Sequence, residues 1–323
     1  MLAWGALGVA HGTDPGRPAQ APAHTPDDPK VRGITISTHG SGQDWGTDVM
    51  VPTIRRIRET GAGWIATHPY ARIGADGSVR FRPFDPEDPP AYLTRPIREA
   101  HAQGLKALIK PHLAYWGSPF GWRGEITFDH PEEWDRFFDD YELWIVAVAR
   151  ACKDADGFVV GTELDRTLEH EARWRRIIER VREVTDAPLT YAANWPDCVR
   201  VPFWDALDVI GIQAYFPVVD RSTDEVGLLL AGWRERMGIL RAFSQRHGRR
   251  VVFTELGYNR AFDAPVRPWE YDTDGPESEA VQEASLRAAL LAIEEEDAVV
   301  GAFLWKWFPE PHAVGRNFQL ATP

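Results

Sequence analysis

Cysteine is scarce in this 323-residue chain, with Cys152 and Cys198 the only two. Two thiols supply neither a disulfide framework nor a cysteine-rich metal site, so free thiols are expected. Basic residues are outnumbered, 36 Lys and Arg against 48 Asp and Glu, for a net charge of −12. That balance argues against sequence-independent binding to a phosphate backbone, which needs a basic face. No stretch after the first ten residues is apolar for long enough to span a membrane. The glycine-rich phosphate loop of a doubly wound sheet is missing as well: "THGSGQDWG" (38–46) has glycines without that spacing. So is the His-x-His pair usual on the first strand of metal-dependent barrel hydrolases. Thr38-His39-Gly40 offers one histidine, and no carboxylate lies at ligand spacing from His39, His68 and His112. No metal and no other cofactor is expected.

Apolar material, by contrast, is plentiful. Hydrophobic residues make up 44% of the chain, enough for a full core, and there are 14 tryptophans. The apolar leader "MLAWGALGVA" is followed by a Pro-, Ala- and Asp-rich run over 12–30 that reads as a disordered linker. The leader lacks a basic n-region, yet the combination leans toward a secreted or cell-envelope protein.

From residue 31 onward, apolar runs alternate with helical periodicity. Strands are expected at 31–38, 63–69, 105–112, 157–164, 188–194, 206–215, 250–255 and 299–307. Helices are expected at 48–61, 91–104, 130–152, 169–184, 223–246 and 277–296, and the crossover between Asn194 and Asp205 is too short for one. A turn at "GADGS" punctuates a long loop after the second strand. Strands covered on both faces read as continuous apolar runs. Eight of them alternating with helices predict a (β/α)8 TIM barrel over 31–323, preceded by the leader and linker of residues 1–30.

Two of these strands end on an acid. "GFVVGTEL" (157–164) reaches Glu163 at the end of the fourth, and "RVVFTE" (250–255) reaches Glu255 at the end of the seventh. Burying an ionised carboxylate without a partner is costly, so neither position is explained by stability. In a barrel both point at the C-terminal mouth, where catalytic side chains gather. A facing pair of carboxyl groups is what glycoside hydrolysis requires, one to protonate the leaving oxygen and one to attack the anomeric carbon. Other strand ends carry candidate sugar contacts: His68, Lys110, His112, Asn194, Trp195, Tyr215 and Trp305, with Trp116, Trp122 and Trp45 in loops at the same mouth. Lys110 and His112 share one face of the third strand at spacing two. Sugar binding and a structural role, with Lys110 paired to an acid and His112 a capping hydrogen-bonder, are both open for them. Packing under a loop is equally open for the loop tryptophans.

The motifs "FVVGTEL" and "VVFTELGY", with "YAANW" between them and "FLWKW" near the end, resemble glycoside hydrolase family 113 of the retaining clan A. The likeness runs over residues 31–310. It implies endo-β-1,4-mannanase activity on a polysaccharide, with Glu163 as acid/base, Glu255 as nucleophile and Trp305 as a stacking platform. Tyr215 is placed to donate a hydrogen bond to Glu255. Thr162 stands where most of the clan has Asn, and His68 where many members have Arg. A carbohydrate-binding barrel from a cell-surface or phage-like assembly is the alternative, and a metal-dependent hydrolase a third. A monomer is expected.

Overall fold

The computed structural model of the protein describes residues 30–271, 275–310 and 318–320. The predicted leader and linker lie outside the described residues. Eight parallel strands close into a barrel: β1 (Val31–Ile36), β2 (Trp64–Thr67), β3 (Lys106–Ile109), β4 (Gly157–Thr162), β5 (Leu189–Asn194), β6 (Ile210–Gln213), β7 (Val251–Leu256) and β8 (Val299–Trp307). Each pairs with its neighbours in sequence, and β8 closes on β1 through Val31 opposite Gly301. Six helices cover the outside: α1 (Met50–Glu59), α2 (Ala91–Ala102), α3 (Pro131–Ala151), α4 (Glu171–Arg182), α5 (Val226–His247) and α6 (Glu279–Glu295). The expected (β/α)8 barrel is the observed one.

Local chemistry explains the boundaries. Pro131 opens α3, where a missing N–H costs nothing. His130 and Glu133 close a reciprocal capping box, and Glu132 and Glu133 sit favourably in the first turn. α5 ends on Gly248 at φ 61, a left-handed position that glycine adopts freely. Between β5 and β6 two short 3-10 turns, Cys198–Arg200 and Trp204–Ala206, replace a helix, as the short spacing predicted. Cys152 follows α3, Cys198 lies in the first of these turns, and both are buried free thiols.

Two layers of apolar packing hold the cylinder. Ala66, Leu108, Val159, Ala192, Val252 and Phe303, from six different strands, form one small cluster inside it. Gly33 on β1 leaves room for the Phe303 ring, which a Cβ there would overlap. A larger cluster between strands and helices takes six of the tryptophans, including Trp144, Trp174, Trp204 and Trp233.

The reading of 63–112 needs two corrections. β3 stops at Ile109, and His112 begins a separate strand, His112–Ala114. Pro111 intervenes, and having no N–H it cannot continue the ladder. His112–Ala114 pairs instead with Tyr70–Ile73, which turns back through Gly74–Ser78 onto Val79–Arg80. The segment expected as a plain loop is therefore a three-stranded sheet, with "GADGS" as its turn.

Candidate active site

Glu163 comes one residue after β4, and it is the only non-glycine residue with positive φ among the described residues, at 53°. Such a conformation costs about 1–3 kcal/mol and persists where the surroundings over-determine it. Here β5 does so. Glu163 N donates to Ala192 O at 2.9 Å, and Leu164 N donates to Tyr191 Oη at 2.8 Å. Gly161 completes the support, because a Cβ there would meet the rings of Trp174 and Tyr191. The carboxyl of Glu163 is part-buried, and Oε2 accepts from Arg123 Nη1 at 2.7 Å.

Glu255 lies inside β7 and is 5% exposed. Its Oε1 is held by the ammonium of Lys110. Its Oε2 accepts from Tyr215 Oη at 2.6 Å. His112 Nε2 stands 3.8 Å from Oε1. Lys110 has no exposed surface, and it also donates to Thr254 O at 3.3 Å. The structure thus commits its charge to Glu255 rather than to the open mouth.

The two carboxyl groups are pushed in opposite directions. Burial raises Glu163 above the usual carboxylate range; Arg123 opposes this, and the charge of Glu255 adds to it. Burial also works against ionised Glu255, but the Lys110 charge and hydrogen bond, with those of Tyr215 and Gln213, hold it below that range. Gln213, the last residue of β6, stands beside both carboxyls and lowers both. Its oxygen accepts from Thr254 Oγ1 at 2.9 Å, which orients the amide, although Nε2 does not reach full hydrogen-bond geometry to either acid.

Around this pair sits an aromatic wall. His68 and His112 stack at 4.9 Å, and Trp305 lies 5.3 Å from His68 and 6.1 Å from His112. Both histidines are buried and held neutral, first by desolvation and then by the cations Lys110, Lys306 and Arg123. Neither ring nitrogen of His68 has a hydrogen-bond partner among the described residues. Trp116 is 52% exposed at the rim, 5.5 Å from Tyr70, whose ring touches both histidines. Trp305 itself is partly exposed.

The Asn194 amide donates to Asp165 Oδ2 at 2.9 Å. Burial lifts the Asp165 carboxyl to about 7. Trp195 is half-buried between Phe216 and the exposed Trp269. Trp45 is fully buried: it donates to Ser37 O at 3.3 Å and packs edge-on against His68, so it belongs to the core. Trp122 folds over Gly124. Thr162 donates to Pro111 O at 3.1 Å.

Three residues at the site carried no signal that the sequence reading used. Gln213 obeys the strand-end rule and was within its reach. Arg123 lies in a 3-10 turn of the loop after β3, where no spacing distinguishes it from the chain's other arginines. Lys306 sits between two tryptophans and reads as strand filling. Among the described residues no group of three or more His, Cys, Asp or Glu side chains could hold a metal ion.

The sequence profile of glycoside hydrolase family 113 matches residues 34–315. The fold is similar to that of the GH113 β-mannanase AaManA from Alicyclobacillus acidocaldarius, solved in complex with ManMIm. That likeness has 28% identity and a TM-score of 0.77, covering 89% of this chain and 90% of that one. It is also similar to a GH113 β-1,4-mannanase solved as a complex, at 22% identity and TM-score 0.79, over 91% of this chain and 95% of that one. A β-glucuronidase from Ruminococcus gnavus shares the barrel at 14% identity and TM-score 0.60, over 91% of this chain but 47% of that one. A search of curated proteins gave no match.

Proposed function

The chain belongs to glycoside hydrolase family 113 and is a glycoside hydrolase, and from that premise we propose that it cleaves a β-linked polysaccharide, β-1,4-mannan first, with retention of configuration. Mannan as substrate is carried over from the β-mannanases it resembles. The supporting observation is the opposed bias of the two acids: burial shifts Glu163 toward its protonated form, and Lys110 and Tyr215 shift Glu255 toward its ionised form.

In the first step Glu255 attacks the anomeric carbon while Glu163 gives its proton to the glycosidic oxygen, and the leaving chain departs as an alcohol. The sugar is then covalently attached to Glu255. Glu163, now ionised, takes a proton from water, and the water oxygen attacks the same carbon and frees Glu255. Arg123 favours the ionised form of Glu163 that this second step uses. Lys110 and Tyr215 stabilise the carboxylate that leaves. Trp305 offers an apolar face to the sugar ring.

The test is release of reducing ends from β-1,4-mannan and glucomannan, with products resolved by chromatography and the anomer formed first read by NMR. β-Configured products are expected. Glycan binding without release from any β-linked polysaccharide would overturn the reading in favour of a binding barrel.

Arg123 gives a second prediction. Removing its charge in Arg123→Met takes away the group that opposes proton retention by Glu163. The acid then keeps its proton to higher pH, and the basic limb of the kcat/KM profile moves upward by about one unit or more. An unmoved or lowered limb would show that the guanidinium does not act on the proton donor.

A further inference from the structure

Lys110, Arg123 and Lys306 bring three cations to the mouth of the barrel, and Glu163 and Glu255 bring two acids. Lys110 is spent on Glu255 and Arg123 on Glu163. Lys306, on β8, is left over: among the described residues no carboxylate comes within ion-pair distance of it. The side chain is 5% exposed. Its single hydrogen bond is donated to Tyr271 Oη, at 2.6 Å. The ammonium is otherwise boxed by rings, 5.0 Å from the centroid of Trp305, 5.3 Å from Tyr271 and 5.3 Å from Phe308.

Aromatic faces attract a cation but replace neither its lost hydration nor its hydrogen bonds. Burial accordingly brings the ammonium down to about 8, with only the field of Glu255 raising it. In a chain of net charge −12, a buried cation with no acid beside it among the described residues is a costly feature, and the cost is recovered if an anion arrives with the ligand.

Granted the retaining hydrolase reading above, and replacing its first choice of neutral mannan, we propose that Lys306 is a specificity-determining residue that binds the carboxylate of a hexuronosyl unit at the cleavage site, so that the preferred substrate is an acidic rather than a neutral β-linked glycan. The geometry suits that role. A sugar lying on the partly exposed Trp305 ring directs its exocyclic groups outward in the plane of the ring, toward its border. The ammonium stands over the same indole, 5.0 Å from its centroid. It has three N–H donors, and Tyr271 takes one of them. Two remain for the two oxygens of a carboxylate.

The experiment compares β-1,4-manno-oligosaccharides with the same oligosaccharides oxidised at C6 to uronates. Wild-type protein is expected to hydrolyse the oxidised series with kcat/KM at least tenfold higher. Lys306→Met should lose at least tenfold more on the oxidised series than on the neutral one, and Lys306→Arg should recover part of that difference. A preference of the wild type for the neutral series would overturn the proposal and leave the hydrolase reading intact. An equal loss on both series in Lys306→Met would overturn it too, and would assign Lys306 to holding the Tyr271 loop. Calorimetry on Glu163→Gln decides the matter independently of turnover: tighter binding of the oxidised series is expected, and equal or weaker binding refutes the proposal. Absence of hydrolysis in both series, alongside selective binding of the uronates, would instead sink the hydrolase reading alone.

Discussion

Glu255→Ala is expected to lose about 10⁴-fold or more of kcat on every substrate, activated aryl glycosides included, because in the proposed mechanism it removes the covalent nucleophile and leaves no first step to accelerate. A good leaving group does not rescue this variant by itself. Azide should, since it fits where the carboxylate was and attacks from the opposite face of the ring, giving the α-glycosyl azide. The same substitution strips Lys110 of its partner. Truncating one side of a buried ion pair costs about 3–5 kcal/mol, so a lower Tm is expected and has to be separated from the chemical effect. Glu255→Gln keeps the side-chain volume and a hydrogen-bond acceptor for Lys110, and it should be equally inactive while melting closer to the wild type. An α-azide product from a folded variant assigns the nucleophile. Activity within tenfold of wild type in either variant would remove Glu255 from that role.

Glu163→Ala should behave differently on different leaving groups. On mannan, whose leaving alcohol needs a proton, the expected loss is about 10²–10⁴-fold, the usual contribution of a positioned general acid. With a 2,4-dinitrophenyl glycoside the first step needs little assistance, so the covalent intermediate forms and accumulates. Added azide then attacks it from the β face, restoring turnover and giving the β-glycosyl azide. The two alanine variants are therefore distinguished by the opposite anomers they produce. The same product from both, or no azide effect on Glu163→Ala, would refute the division of labour between the acids. Arg123 is also exposed by this change, since its guanidinium loses the Glu163 carboxylate while keeping Leu113 O, 3.2 Å from Nε, and the Tyr115 ring at 5.8 Å.

Much of the barrel could be read from local patterns. β8 was expected at 299–307 and observed over Val299–Trp307, and α3 was expected at 130–152 and observed over Pro131–Ala151. Apolar runs and helical periodicity are carried by neighbouring residues, so they survive without knowledge of the rest of the chain. The strand-end rule also led directly to Glu163 and Glu255, because in this architecture the end of a strand is a place in space. The reading failed where one residue interrupted a pattern. Pro111 breaks the third strand and sends His112 to a different sheet, and the hairpin at 70–80 alternates apolar residues with arginines over strands of four and two residues, too short for a period to stand out. Trp45 shows a further limit: a loop tryptophan beside the mouth and one packed beneath it look the same in sequence.

Order along the chain was enough to establish an eightfold strand–helix alternation and to bring two acids to the same end of it, since both follow from periods of a few residues. The charge state of those acids was not contained in that order. It depends on Lys110 meeting Glu255 across 145 positions and on Arg123 meeting Glu163 across 40, and on how much water the closed barrel leaves around each carboxyl. Coulomb and desolvation energies are set by distance and burial in space, and those quantities exist for this chain only after β8 has closed on β1.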